Sequence, residues 1–173
     1  MVAERSNTAS EVRARTAAFD FWPVVVAAIV VVLDQITKAL AIDALGPPEA
    51  GKSKTIIPKL LDLRHDQNTG AAFSLFQGRS TTLLLIGVIV IGVLIYYYRA
   101  LPQGSPLLRT AVGGVLGGAV GNIIDRVRLG HVTDWIHITH YPTFNLADSS
   151  ITLGMITLAV YLVFLDRAPR RDG

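Results

Sequence analysis

Four long apolar segments divide the sequence. Charged residues are absent from residues 22–33, 81–98, 110–124 and 149–165, and apolar character resumes after the first of these through residue 45. With its flanking residues, each segment approaches the roughly 20 residues that a helix needs to cross ~30 Å of hydrocarbon. The pattern predicts an all-α integral membrane protein whose four transmembrane helices lie at about 22–45, 80–99, 107–126 and 148–166.

The connections between these segments differ in length. Gly46-Pro47-Pro48 ends the first helix, and residues 55–57 and 60–64 predict short strands before a turn at Asn68-Thr69-Gly70. We therefore expect a small extracytoplasmic β-sheet over about 46–79, a cytoplasmic turn after the second helix, and a short flap loop over about 127–147. Residues 21–166 would form one membrane-embedded domain between a disordered tail, 1–20, and a second tail, 167–173.

Composition supports a membrane setting. Hydrophobic residues make up 51% of the 173 residues, charged residues make up 17%, and the mean hydropathy is +0.46, which is too apolar for an ordinary soluble domain. The absence of cysteine excludes disulfides and thiolate chemistry. Basic residues are denser in the two tails and the second connection than elsewhere, so both termini are predicted to be cytoplasmic. The net charge of +3, without a basic run interleaved with aromatics, favours anionic lipid contact over nucleic acid.

The first apolar segment permits a second interpretation. A charged N-terminal region, an apolar run and Ala39-Leu40-Ala41 together resemble a cleavable secretory signal. The apolar run, however, continues past Asp34 and Lys38, which lie four residues apart on one helix face and can neutralise each other. We therefore predict a transmembrane helix that carries an intrahelical ion pair facing the bundle.

The third apolar segment carries a row of glycines and ends in a polar cluster. Gly113, Gly117 and Gly121 share a helix face, which predicts close packing of another helix, with a slot for an acyl chain or a peptide as the alternative. Beyond them, Asp125 near a helix C-terminus needs a cation, which Arg126 or Arg128 could provide. Asn122, Asp125 and Arg126 can all point toward one place, although Arg126 could instead pair with Asp125 and reach the headgroups.

Asp134 and Asp148 are the strongest candidates for chemistry. They flank 13 residues of polar loop at the edge of the last apolar segment, and acids beside hydrocarbon indicate a functional site. Asp148 sits at the predicted helix start as an N-cap that favours its anion, whereas the apolar neighbours of Asp134 should raise its pKa. Such a pair can share one proton for acid and base catalysis. Asn145 could orient the pair or contact substrate, or could be an ordinary turn residue.

Five blocks of the sequence, in order, resemble the lipoprotein signal peptidase (signal peptidase II) family. These blocks are DQITK (34–38), NTGAAFS (68–74), GNIIDR (121–126), VTDWI (132–136) and FNLAD (144–148). The resemblance extends over about residues 22–165 and implies a bacterial inner-membrane aspartyl endopeptidase. Enzymes of this family remove the signal peptides of prolipoproteins by cutting before a cysteine that already carries diacylglycerol.

The resemblance also assigns roles to residues. Asp134 and Asp148 match the catalytic dyad. Polar positions that surround the dyad and hold the substrate backbone match Asn68, Asn122, Arg126 and Asn145, and supporting positions match Asp34, Lys38 and Asp125. The expected partners are lipidated prolipoproteins and membrane lipids, with no nucleic acid, no metal, no cofactor and a monomeric protein. One departure is the short stretch between Asp134 and Asp148, which corresponds to the family's mobile flap.

Other functions fit parts of the pattern. His131, Asp134, His137 and His140 recur every three residues and could offer zinc ligands, although HExxH is absent and Pro142 interrupts a helix there. A serine hydrolase lacks its Gly-x-Ser-x-Gly motif. A small transporter would also place ionisable residues in a bundle, but its polar groups would cross the middle of the membrane, whereas those of this chain collect at one surface.

Overall fold

Four helices and a three-stranded sheet form the part of the fold that the structure describes. The computed structural model describes residues 21–70, 80–98 and 105–165. The helices are α1 (Trp22–Leu45), α2 (Ser80–Tyr98), α3 (Pro106–Leu129) and α4 (Leu146–Val160), and a π-helical turn, Tyr161–Leu165, continues α4. The strands are β1 (Ser53–Ile57), β2 (Leu61–Asn68) and β3 (Val132–Ile138), and a short 3₁₀ helix, Pro48–Ala50, precedes β1. The predictions for both tails, for residues 71–79 and for the cytoplasmic turn at 99–104 lie outside the described residues.

The number of apolar helices agrees with the prediction. Each of the four contains a stretch that is long and apolar enough to cross a membrane. Large apolar side chains cover their outer faces, and α2 has no buried residue at all among those described. An apolar outer surface of this kind is stable only in contact with lipid, because water would make its exposure costly.

The helix ends follow local sequence. Pro23 and Pro106 stand in the first turns of α1 and α3, where a missing N–H costs nothing. Ser105 caps α3, since its Oγ accepts the Leu108 N–H at 3.4 Å. Gly46 (φ 71°) and Gly130 (φ 77°) end α1 and α3 with positive φ angles that suit glycine. Because Gly130 supplies this stop, α3 extends beyond the predicted end at 126 to Leu129.

The sheet contains a strand that the sequence pattern did not predict. Its order is β1-β2-β3 with antiparallel pairing throughout, so the stretch expected to be a flap loop supplies its third strand. The loop prediction for 127–147 was wrong for residues 132–138, because Thr133 and Asp134 are polar yet buried and disguise the strand periodicity. The register pairs Asp66 with Asp134 and Asn68 with Val132. Asn68 is therefore a diagonal neighbour of Asp134 across the two strands, and their side chains lie close together.

Helix α3 is the centre of the bundle. Leu108, Val112 and Val115 of α3 form a buried core with Leu158 of α4. A methyl group on Gly117 would lie only 2.6 Å from the Ala27 carbonyl oxygen of α1, and one on Gly113 would lie 2.7 Å from the Pro23 carbonyl oxygen. The prediction that the glycine face packs closely against another helix is confirmed. The backbone of α1 fills the space that an acyl chain would have needed.

Candidate active site

Asp148 lies in the first turn of α4, but it is not the N-cap. The helix begins two residues earlier than predicted, and Asn145 is its N-cap in an extended conformation. The Asn145 side chain accepts the Asp148 N–H at 2.9 Å, and the Asn145 N–H donates to Asp148 Oδ2 at 3.2 Å. This reciprocal capping box satisfies two donors at the helix start and fixes the Asp148 carboxylate against the Asn145 backbone.

Asn145 connects the two aspartates. Its side chain is fully buried, and its Nδ2 donates to Asp134 Oδ1 at 2.7 Å while its backbone binds Asp148. The sequence left open whether Asn145 was a turn residue or an orienting one. The structure supports the second interpretation, because a single residue binds both carboxylates, Asp134 through its side chain and Asp148 through its backbone N–H.

Asp134 is held in a buried, polar position on β3. It is 2% exposed, and its Oδ2 accepts a hydrogen bond from Asn68 Nδ2 at 2.9 Å. Burial, followed by repulsion from Asp148, raises the pKa of Asp134 to about 7, although the hydrogen bonds from Asn68 and Asn145 oppose this rise. The raised pKa expected from its apolar neighbours is confirmed. Near neutral pH, the carboxyl group can therefore either carry or accept a proton.

Asn122 joins Asp148 to the membrane-embedded part of the bundle. Its Nδ2 donates to Asp148 Oδ1 at 2.7 Å, and its Oδ1 accepts from Lys38 Nζ at 3.1 Å and from Asn145 Nδ2 at 3.2 Å. Each polar atom of the Asn122 side chain is thus committed to the site. A residue of another shape would break contacts to three neighbours at once.

A buried ion cluster lies beneath the two aspartates. Lys38 Nζ is 2.8 Å from Asp34 Oδ2 and 2.8 Å from Asp125 Oδ2, and all three side chains are at most 4% exposed. The predicted ion pair between Asp34 and Lys38 is confirmed. The expectation that Arg126 or Arg128 supplies the cation for Asp125 was wrong, because Asp125 points toward α1, where Lys38 meets it.

The two acids of this cluster also hold the backbone next to the aspartates. Asp34 Oδ1 accepts the Ala147 N–H at 3.0 Å, and Asp125 Oδ2 accepts the Thr133 N–H at 3.1 Å. Ala147 and Thr133 are the residues immediately before Asp148 and Asp134. The ion cluster therefore fixes both chain segments that carry the candidate dyad. This contact is the physical means by which the cluster could support the site, as the resemblance predicts.

Arg126 lies beside the site without pairing with Asp125. Its guanidinium donates to the carbonyl oxygens of Asn122 and Gly70, both at 3.4 Å. Its Nε is buried and has no hydrogen-bond partner within the described residues. Asp148 and Asp134 both act on this cation electrostatically. Arg126 therefore brings a positive charge and a spare donor to the same region as the two carboxylates.

Several polar contacts around the site were not predicted from the sequence. Gln35 Nε2 donates to Asp125 Oδ1 at 2.9 Å, and Arg64 Nε lies 2.8 Å from Asp66 Oδ2 and 2.9 Å from Thr143 Oγ1. The second group ties β2 to the loop before Asn145. An amide inside an apolar span was a signal for Gln35. The alternation of a strand puts Arg64 and Asp66 on one face, but nothing in the sequence pointed to Thr143.

The histidines near Asp134 do not gather around it. On β3, a spacing of three residues places side chains on opposite faces of the strand, whereas a helix would have aligned them. His140 lies beyond the strand with φ 66°. Across residues 21–70, 80–98 and 105–165, no three histidine or acidic side chains are grouped as metal ligands. The metal-site alternative therefore lacks the required geometry.

Known proteins are similar to this chain in sequence and fold. The family described as Signal peptidase (SPase) II matches residues 26–164. The lipoprotein signal peptidase of Caldanaerobacter subterraneus subsp. tengcongensis is 42% identical over 142 residues, covering 82% of this chain and 95% of its own length. That of Halothermothrix orenii is 40% identical over 139 residues, covering 80% and 92%. A solved bacterial membrane enzyme structure superposes with a TM-score of 0.75 at 30% identity, covering 87% of this chain and 92% of the other.

Proposed function

The chain belongs to the signal peptidase II family, and we propose that it is an aspartic endopeptidase in which Asp134 and Asp148 act as the catalytic dyad. Membership of this family makes the protein a bacterial membrane peptidase that removes signal peptides from prolipoproteins. The proposal adds the catalytic residues, the cleavage site before a lipidated cysteine, and an active site on the extracytoplasmic face with both termini in the cytoplasm.

One observation carries the assignment of the dyad. Asn145 binds both carboxylates. Its Nδ2 donates to Asp134 at 2.7 Å, and its backbone N–H donates to Asp148 as part of the capping box. Two acids held by one buried residue keep a fixed separation, and burial, followed by repulsion from Asp148, raises the pKa of Asp134. A carboxylate pair of this kind holds one proton between its members near neutral pH.

The pair can perform peptide hydrolysis without a cofactor. The ionised carboxylate accepts a proton from a water molecule, whose oxygen then forms a bond to the scissile carbonyl carbon. The protonated carboxyl donates its proton to the carbonyl oxygen, so that the tetrahedral intermediate is a neutral diol. Collapse of this diol breaks the C–N bond: one hydroxyl returns its proton to the carboxylate that first donated it, and the proton first taken from water goes to the leaving amine. The raised pKa of Asp134 makes it the proposed proton donor.

The surrounding residues have proposed roles in the same step. The buried amides of Asn122 and Asn145 orient the two carboxylates, and Asn68 donates a hydrogen bond to Asp134 Oδ2. The spare Nε donor of Arg126 would bind a backbone carbonyl of the substrate. Acyl chains on the substrate cysteine would lie against the apolar outer helix faces, each buried methylene contributing about 0.8 kcal/mol toward positioning the bond. We propose that a monomer suffices.

The substrate requirement is the direct test of this function. The purified protein in detergent is expected to cleave a diacylglyceryl-modified precursor at the bond before its modified cysteine. The same precursor without the lipid should be cleaved at least about 100-fold more slowly, because the lipid supplies the binding energy that positions the bond. Mass spectrometry of the products identifies the cut. Equal rates on both precursors, or inhibition by EDTA, would contradict the proposal.

The activity should also depend on pH through Asp134. As pH rises through about 7, the pair loses the proton that the donor needs, so kcat/KM should fall on the alkaline side. Asn68 stabilises the ionised form of Asp134. Loss of this hydrogen bond in Asn68→Ala should therefore raise the pKa of Asp134. The alkaline limb of the pH profile should move to higher pH by about 0.4 to 1 pH units.

A matched variant separates this effect from a general change in β2. Gln67→Ala alters the exposed neighbouring residue of the strand and should leave the alkaline limb where it is. The measurement is kcat/KM between pH 5 and 9 on the lipidated precursor, an interval chosen to bracket a pKa of about 7. An alkaline limb that stays in place in Asn68→Ala, or moves downward, would show that Asp134 is not the group that titrates.

A further inference from the structure

A groove outside the active site lies between the second half of α1 and the sheet. Its cavity volume is about 490 Å³. One wall consists of Thr37, Leu40, Ala41, Ala44 and Leu45 of α1, and Leu63 and Trp135 lie on the opposite wall. Successive residues of a strand point to opposite faces, so β3 directs Asp134 to the dyad and Trp135 into the groove. The groove is thus separate from the catalytic residues.

Positive charge marks one side of this groove. Lys52, Ser53 and Lys54 complete its lining, and both lysines are exposed. No acidic residue belongs to the described residues that line it. The walls are mainly apolar, so the groove combines a hydrocarbon-like interior with two ammonium groups and two hydroxyl groups. This distribution complements a molecule with an apolar chain and an anionic head.

The groove lies at the level where a membrane presents such molecules. Helix α1 is apolar enough to span a membrane and ends at Leu45, seven residues before Lys52. Residues that directly follow a membrane span stand among the lipid headgroups, where lysine and tryptophan are favoured. The apolar wall is continuous with the lipid-facing surface of α1, since Ile36 and Leu40 are 50% and 62% exposed. A chain in the groove could therefore extend along α1 into the bilayer.

The neighbouring hairpin is also suited to contact with a membrane. Ile56, Ile57 and Leu60, at the turn between β1 and β2, are 47%, 46% and 51% exposed. Three large aliphatic side chains beside lysines would be unfavourable in water and favourable at an anionic lipid surface. The hairpin therefore supports the placement of the groove mouth within the headgroup layer.

We propose that this groove binds one anionic phospholipid of the surrounding membrane. The ammonium groups of Lys52 and Lys54 hold the phosphate, and one acyl chain lies between Leu40 and Leu63. The bound lipid would tie the sheet, which carries Asn68 and Asp134, to the membrane surface beside α1. This site goes beyond the proposed peptidase function and does not depend on it, because a catalytically inactive protein would bind the lipid equally well.

Trp135 provides a direct probe of the groove. The chain has two tryptophans, so the variant Trp22→Phe leaves Trp135 as the only one. This protein is placed in phosphatidylcholine nanodiscs with an increasing fraction of a brominated lipid. The brominated lipid is either phosphatidylglycerol or phosphatidylcholine, and both carry bromine near the headgroup end of an acyl chain. Bromine quenches tryptophan only on close approach. We expect brominated phosphatidylglycerol to quench Trp135 at a lower lipid fraction than brominated phosphatidylcholine does. The difference should reach about thirtyfold, since each lysine near an anionic headgroup contributes about fivefold in affinity.

Charge variants decide whether the lysines of the groove are responsible. Lys52→Gln combined with Lys54→Gln should abolish the preference for phosphatidylglycerol. Lys59→Gln removes a charge from the same hairpin outside the groove and should leave the preference intact. Equal quenching by both lipids, or a preference that survives the double substitution, would overturn the proposal. So would displacement of the brominated lipid by a lipidated precursor, because the groove would then belong to the substrate.

Discussion

Asp134→Asn and Asp148→Asn are each expected to reduce cleavage of a lipidated precursor by at least about 1,000-fold. Either substitution removes a group that must exchange a proton with water or with the scissile carbonyl. Asparagine has nearly the shape of aspartate, and at position 148 its single side-chain oxygen can keep one of the two hydrogen bonds that the Asp148 oxygens accept from Asn122 and from the Asn145 backbone. Loss of activity without loss of fold would therefore identify the carboxylates themselves as the reacting groups.

The measurement pairs single-turnover cleavage with thermal unfolding in detergent, followed by tryptophan fluorescence. Asp43→Asn makes the same chemical change at an exposed position of α1 and should retain full activity. Both dyad variants should unfold within a few degrees of the parent protein. Cleavage at the parental rate in either dyad variant would end the assignment, and substantial unfolding at the assay temperature would show a structural role instead.

Lys38→Met is expected to destabilise the protein by about 3 to 5 kcal/mol, the cost of leaving buried carboxylates without their cation. Asp34 and Asp125 would then repel each other in a site where neither is more than 4% exposed. Because these acids accept the N–H groups of Ala147 and Thr133, their displacement should also shift Asp148 and Asp134. Stability and activity should therefore fall together.

The unfolding experiment has two comparisons. Lys59→Met removes an exposed lysine and should change stability by less than about 0.5 kcal/mol. Adding Asp34→Asn and Asp125→Asn to Lys38→Met removes the unpaired charges and should recover most of the lost stability. An unfolding transition in Lys38→Met that matches the parent would show that the cluster is not held together by its charges.

The sequence contained more information about the helices than about the sheet. Apolar segments that approach 20 residues with their flanks can be stable only in a membrane or in a large core, so four helices followed from hydropathy alone. The glycine row likewise indicated close packing, and the structure puts α1 against it. In contrast, β3 was missed because its burial comes from a polar site: Thr133 and Asp134 occupy positions that an ordinary strand would fill with apolar residues.

The site shows the same division. The pair of aspartates and the polar residues around it could be selected from the sequence, since ionisable groups beside hydrocarbon are costly and seldom occur without a function. Their partners could not. The cation of Asp125 is Lys38, 87 positions away along the chain and on another helix, rather than an adjacent arginine. The N-cap of α4 is Asn145 rather than Asp148, because the chain at position 145 is extended and the helix begins before the acid.

The sequence by itself determined the membrane setting, the helices, the family resemblance and the identity of the acidic pair. These properties depend on hydrophobicity and residue type, which are local. Only the tertiary structure decided that Asn145 bridges the acids, that Lys38 joins Asp34 to Asp125, and that β3 brings Asp134 beside Asn68. Such contacts depend on register and on the close approach of distant segments, because the strength of a buried charge or hydrogen bond is set by its partner and by the exclusion of water.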